Sequence, residues 1–228
     1  MQVVISGDSV MLDNLAAGFI AALEEGSETL ATTSWLLAMS RDVASHQELG
    51  RIIHGLDPDL LIVSMGVWEL DAVANDMHDP GWRDRYTTDV LARFVDRVTA
   101  DGAQILWIGM PPWNNEPEAD DLQTLQDIYR SFARQDDRVS FLDASEYVAD
   151  ASGRFTFELP DAAGNPQQVR NPDGLHYCPP GVVRVVEPAL DWIQQRWPVS
   201  VTPDWQHLSW HLEADGSIRE SFRGCPAT

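Results

Sequence analysis

A serine, an aspartate and a histidine are the residues whose types and spacing could do chemistry, and they sit near opposite ends of the chain. Ser9 follows a short β-branched run, Gln2 to Ser6, and precedes an amphipathic stretch, so it falls where a buried strand hands over to a helix. A hydroxyl at that junction lies near free backbone N–H groups and the positive end of the helix dipole, which favour negative charge as it develops. As a nucleophile it needs a base to take its proton and a third group to orient the base. Asp173 and His176 offer that pair, three residues apart in Asp173-Gly174-Leu175-His176, just before a helix that starts near Pro179-Pro180. There the carboxylate can fix the imidazole in one tautomer and stabilise its cation. Each half also has a plainer reading. Asp8 or Ser9 alone is a good helix N-cap, and a lone histidine in a loop is commonly exposed and idle.

Bringing such distant residues together requires a sheet that collects strand ends. Strands are predicted at residues 2–6, 29–35, 60–65, 104–108 and 139–142, and helices at about 12–25, 48–55, 87–100, 122–134 and from Pro179 to about Trp197. This alternation predicts a three-layer α/β/α, flavodoxin-like, doubly wound parallel sheet of five strands. Ligands of such sheets bind beyond the carboxyl ends of the strands, where Ser9, Gly66, Trp68 and the Pro111 to Asn115 loop should gather. Residues 143–172 are rich in Gly, Pro, Asp and Asn and read as a long excursion. After Pro198 the pattern changes: two imperfectly alternating stretches, Trp205 to Glu213 and Ser217 to Phe222, flank Ala214-Asp215-Gly216. They predict a β-hairpin, and hence a main domain over 1–197 with a C-terminal extension over 198–228.

With Gly7-Asp8-Ser9-Val10 in its first block and Asp173-Gly174-Leu175-His176 in its last, the chain resembles the SGNH, or GDSL-like, hydrolase superfamily over residues 1 to about 197. The resemblance implies an esterase or acyltransferase that works through an acyl-enzyme without a cofactor. It assigns Ser9 as nucleophile, His176 as general base and acid, and Asp173 as its orienting partner. The third block departs from the family's Gly-x-Asn-Asp: this chain has Gly66-Val67-Trp68-Glu69. An indole offers one N–H where the amide of Asn offers two, so Trp68 is a rerouted oxyanion donor or a pocket wall. That variant is similar to SGNH domains fused to membrane acyltransferases. The second-block glycine, a further oxyanion donor, has no match in Thr32-Thr33-Ser34-Trp35, where the backbone N–H of Ser34 stands in. Trp113 and Asn114 line a substrate pocket or belong to an ordinary polar loop. Glu69 and Asp71 tune the pocket's charge or are solvated.

Composition narrows the partners. The 228 residues carry 36 acidic and 15 basic side chains, every basic one an arginine, for a net charge of −21. Such a surface repels nucleic acid and anionic membranes, so the expected substrate is a small ester or a neutral O-acylated sugar. No Cys or His spacing suits a metal, and Gly7-Asp8-Ser9-Val10 is a poor phosphate cradle for a flavodoxin-like cofactor binder. With its altered donors, the other reading is a weak or inactive SGNH-like domain that binds a glycan or protein. No apolar stretch reaches the ~20 residues of a membrane span. No signal peptide is visible, so a cytoplasmic location is expected as written, and an extracellular or periplasmic one if the domain is cut from a longer parent. Cys178 and Cys225 are too few for a disulfide scaffold; a bridge and two free thiols both satisfy the sequence. His46, His54, His78, His207 and His211 have no partner at recognisable spacing. The oligomeric state is left open.

Overall fold

The computed structural model describes residues 1–23, 29–34, 50–73, 76, 77, 79 and 81–226. Five strands, β1 (Gln2–Gly7), β2 (Thr29–Ser34), β3 (Leu60–Ser64), β4 (Gln104–Ile108) and β5 (Val139–Leu142), form one parallel sheet in the order β2-β1-β3-β4-β5. Its hydrophobic runs are continuous because helices cover both faces. Val3 to Ile5, Leu60 to Val63 and Ile105 to Ile108 are each at most 2% exposed. The chain leaves β1 for β2 on one side, then crosses to β3 on the other. The strand order therefore reverses at β1, the crevice where doubly wound sheets take ligands.

The helices pack in groups. A π-helical turn, Val10–Leu15, runs into α1 (Ala16–Leu23), which packs against the last long helix. On the other side, α2 (Val67–Val73) contacts the longest helix, and a helical stretch from Trp82 ends in α3 (Arg93–Val98). The longest is α4 (Glu116–Ala133), which begins earlier than its apolar period suggests because a proline in its first turn starts the helix. The last, α5 (Pro179–Gln194), also opens on proline and buries Val182, Val185, Val186, Ala189 and Ile193. The helix predicted at 48–55 is helical over 50–55; its first residues, Trp35 and the predicted end of the first helix beyond Leu23 lie outside the described residues.

One expectation gains detail and one needs correction. The 143–172 excursion contains structure of its own: a helical turn, Ser145–Val148, and an antiparallel pair, β6 (Glu158–Pro160) with β7 (Pro166–Gln168). The C-terminal extension is not a hairpin of two strands. Its only ladder contact among the described residues is a single bridge, Leu212 to Ile218, closed by a bond from the Glu213 N–H to the Ser217 carbonyl at 2.8 Å. Trp205, Trp210 and Phe222, at most 8% exposed, cluster together with ring centroids 6.2 and 5.7 Å apart. Burying three aromatic rings on one side conflicts with the alternation a strand imposes, so the segment folds into short 3₁₀ turns instead. Cys178 and Cys225 form a disulfide, 47 residues apart in sequence, that fastens this extension to the start of α5.

Candidate active site

Ser9 is held by the sheet. Gly7 ends β1 because nothing larger fits: a Cβ there would lie 2.1 Å from the Ser64 carbonyl oxygen. Asp8, 2% exposed, then turns its carboxylate inward. One oxygen accepts the Val10 N–H at 3.1 Å; the other accepts those of Gly66 and Val67 at 2.9 and 3.1 Å. Burial pushes the Asp8 carboxyl up, and these three donors pull against that. Of the two capping candidates, Asp8 is the one that caps. Asp8 caps the helical turn, while Ser9, helical at φ −59° and ψ −33°, makes no capping bond. Its hydroxyl is free to face His176.

His176 is held by polar side chains rather than by a strand. Asp173 Oδ1 accepts the N–H groups of Leu175 and His176 at 2.8 and 3.0 Å, and its Oδ2 lies 2.7 Å from His176 Nδ1. One carboxylate therefore shapes the loop and orients the ring, and the three-residue spacing is what allows both. Gly174 supplies the positive φ of +78° that the turn requires, in a space where a Cβ would meet Asn114 at 2.8 Å. Partial burial raises the Asp173 carboxyl, but its N–H donors and the His176 ring outweigh that and leave it below the usual carboxylate range. His176 Nε2 lies 2.8 Å from Ser9 Oγ. With Nδ1–H donating to Asp173, the neutral ring presents Nε2 as acceptor for the Ser9 hydroxyl.

Beneath this loop lies Arg170, with no measurable exposure and, among the described residues, no carboxylate partner. Its guanidinium donates to the carbonyls of Pro112 at 2.8 Å, Gly174 at 3.2 Å, Leu175 at 2.5 Å and His176 at 3.4 Å, and lies over the rings of Phe155 and Tyr177. Asn171 closes the loop by donating its backbone N–H to the His176 carbonyl at 2.8 Å. Reading the sequence alone missed Asp8 as an anchor, and missed Arg170 and Asn171 altogether. The available signal was an arginine between Val169 and the Asp173 motif in an otherwise acidic, polar stretch.

The remaining predicted residues are dispersed. The Gly66 N–H is taken by Asp8, so Gly66 anchors the Ser9 turn and offers no free donor to an oxyanion. Trp68 stands in the first turn of α2 with its side chain 45% exposed. Ser34 ends β2 in register with Gly7; its side chain lies outside the described residues. Trp113 and Asn114 border a 460 Å³ cavity with Met110, Gln126 and Phe155, and Ser9 and His176 are not in its wall. Asn114 still touches the His176 loop, its N–H donating to the Gly174 carbonyl at 3.2 Å. Among the described residues no acceptor takes the Ser9 backbone N–H. Glu69 is buried at 2% exposure beside Tyr86 and Tyr129, whose hydroxyls lie 3.1 Å apart, so it is not solvated. The Asp71 side chain, His46 and His78 lie outside the described residues.

A five-stranded sheet of this order, with Ser9 after β1 and the Asp173–His176 loop before α5, has the SGNH, or GDSL-like, hydrolase fold. Solved structures bear this out at low sequence identity. A variant of an acetyl-xylooligosaccharide esterase from Geobacillus matches with a TM-score of 0.57 at 14% identity, covering 86% of this chain and 95% of that one. A GDSL-like lipase from Bacteroides thetaiotaomicron gives 0.56 at 12%, covering 84% and 88%. A carbohydrate esterase family 3 protein from Talaromyces cellulolyticus gives 0.52 at 13%, covering 86% and 99%. No curated protein matches the sequence. The chain belongs to the family described as protein of unknown function DUF459, whose profile matches residues 2–192.

Proposed function

We propose that the protein cleaves or transfers ester-linked acyl groups, acetyl among them, through an acyl-enzyme on Ser9. The observation that carries this is the unbroken chain from Asp173 Oδ2 to His176 at 2.7 Å and from His176 to Ser9 Oγ at 2.8 Å. In this reading His176 takes the Ser9 proton as Oγ attacks the ester carbonyl, and Asp173 stabilises the imidazolium. The Ser9 N–H meets the developing oxyanion. His176 then returns the proton to the departing alcohol, and water or an acceptor hydroxyl resolves the acyl-enzyme by the reverse steps. The ester-cleaving activities named for the structural neighbours support the same chemistry, and the net charge of −21 favours a neutral acylated sugar or small ester over an anionic one. The disulfide supports an oxidising compartment, extracellular or periplasmic.

A second reading is favoured by one observation. Trp68 stands where the superfamily pattern has its Asn donor and is 45% exposed on α2, so the site has fewer evident oxyanion donors than that pattern supplies, and one lost donor costs ~3–4 kcal/mol of barrier. A domain that binds an acylated glycan, or a protein, with little turnover fits that shortage. A fluorophosphonate probe separates the two. The esterase reading expects labelling that disappears in Ser9→Ala, together with Ser9-dependent hydrolysis of 4-nitrophenyl acetate. Silence beside a reactive control esterase selects the binding reading.

A further inference from the structure

Asp173 and His176, though not Ser9, line a 490 Å³ groove, within the ~300–1,000 Å³ of small-molecule sites. Its opposite wall comes from the C-terminal extension: Glu213, Arg219, Glu220 and Arg223, with Asp13 from the π-helical turn one turn beyond Ser9. The family profile ends at residue 192, so this wall lies outside it. The extension is tied to the histidine loop three times over. The Cys178–Cys225 bridge begins two residues after His176. The Asn171 side chain donates to the Arg223 carbonyl at 3.1 Å while its backbone holds the His176 carbonyl. Asn14 donates to the Ser221 carbonyl at 3.1 Å and accepts the Tyr177 N–H at 3.2 Å. A segment that only covered the core would not need fastening to the loop that carries the base.

The chemistry of the groove names its occupant. In ester cleavage the departing oxygen must meet the proton on His176 Nε2, so the alcohol lies on the His176 side. A group there faces the carboxylates of Asp13 and Glu213 and the guanidinium of Arg219. Arg219 Nε donates to the Leu212 carbonyl at 3.2 Å, and among the described residues no carboxylate pairs with it, so its terminal nitrogens are free to donate. An alkyl chain would strip water from these charges without replacing its hydrogen bonds, and an anion would meet four carboxylates against two guanidiniums, one of which, Arg223, is already paired with Glu220. A neutral alcohol with several hydroxyls satisfies donors and acceptors alike. Asp13, Arg219 and Ser221 also border an adjoining 420 Å³ depression over Leu12, Ala16, Ala17 and Ile20, which suits the C–H face of a further ring. The Asp173 side chain is 46% exposed in the open groove; an occupant displaces that water and strengthens its hold on the imidazolium.

We propose that the C-terminal extension is part of the active site: residues 213–223 form the leaving-group subsite for a neutral polyhydroxylated alcohol, with Arg219 setting specificity. This rests on the ester-cleaving reading above. The test compares kcat/KM on an O-acetylated xylose with kcat/KM on 4-nitrophenyl acetate, whose leaving group needs neither a proton nor polar contacts. In Arg219→Ala, and in Cys225→Ser, the ratio of the first to the second should fall at least tenfold, mainly through KM for the sugar ester. Equal losses on both esters, or an unchanged ratio, would overturn the subsite. A second arm needs no turnover: calorimetric binding of the acetylated xylose to the Ser9→Ala protein. Adding Arg219→Ala should raise its Kd at least tenfold, and an unchanged Kd overturns the proposal. A Ser9 silent to fluorophosphonate would sink the reaction, whereas the binding arm decides the subsite on its own.

Discussion

The two ends of the hydrogen-bonded chain are built by different physics. Ser9 stands directly on the core, after a strand buried on both faces, and Asp8 ties its turn to the start of α2. His176 stands outside every strand and helix, on a loop whose geometry is set by Asp173, Arg170 and Asn171. The place of Ser9 therefore follows from the fold itself, while that of His176 has to be specified separately by polar side chains. Disturbing the first region should cost stability before activity, and disturbing the second activity before stability.

The largest expected effect sits where the two regions meet. Ser9→Ala should cut turnover of 4-nitrophenyl acetate by about 10⁴-fold or more and leave the melting temperature nearly unchanged, read by steady-state kinetics and calorimetry. Next comes the His176 side. Arg170→Met removes the fork that holds the Pro112, Leu175 and His176 carbonyls, and a misplacement of about 1 Å at a reacting group costs roughly 10²-fold. Its kcat should fall by about that factor with KM little changed. Arg170→Lys should recover only a small part, because one ammonium cannot span carbonyls arranged for a planar guanidinium. On the Ser9 side, Asp8→Asn sets an NH₂ against backbone N–H donors. It should cost about 1–3 kcal/mol of stability, read by urea unfolding, with a loss of activity smaller than that of Arg170→Met. If Asp8→Asn proved the more damaging to kcat and Arg170→Met the more damaging to stability, the contrast between the regions would be wrong.

That contrast also explains what could be read in advance. The sheet was legible because strands buried on both faces leave unbroken apolar runs, as in Leu60 to Val63. The Ser9 turn and the Asp173–His176 loop were legible because each is a local motif whose spacing does structural work: Gly7 for clearance, Asp173 for two N–H groups and a ring. Arg170 was not legible, because an arginine satisfied by carbonyls leaves no partner residue in the sequence to look for. The Gly66 anchor was not legible because a pattern names the residue and not the acceptor its N–H has found. The extension was misread because Trp205, Trp210 and Phe222 were counted as alternation, when a shared burial site was what set their spacing. The disulfide could not be chosen over two free thiols across 47 residues of separation.

The smallest expected effect sharpens the contrast at the edge of the site. His211 is 9% exposed, and its Nδ1 is buried without a partner in the described structure. Burial, and then the charge of Arg219, hold its pKa below the ordinary histidine value. A depressed value means that the folded extension refuses a proton which the unfolded one accepts. The stability it contributes is present above about pH 6.5 and is lost as pH falls through the folded value. Carboxylates held low, such as Asp173 and Asp136, act in a separate window: theirs is present above about pH 4 and lost below it. Between pH 8 and pH 5, therefore, the extension should loosen while the sheet and the Ser9 turn do not. Amide exchange over 205–222, corrected for its intrinsic pH dependence, should rise by roughly twofold to fivefold, and β1 and β3 should not change. His211→Asn should remove the dependence. A rise shared by the strands would mean that the acid response belongs to the whole fold, and that the extension is not the separately held wall that its fastenings to the His176 loop imply.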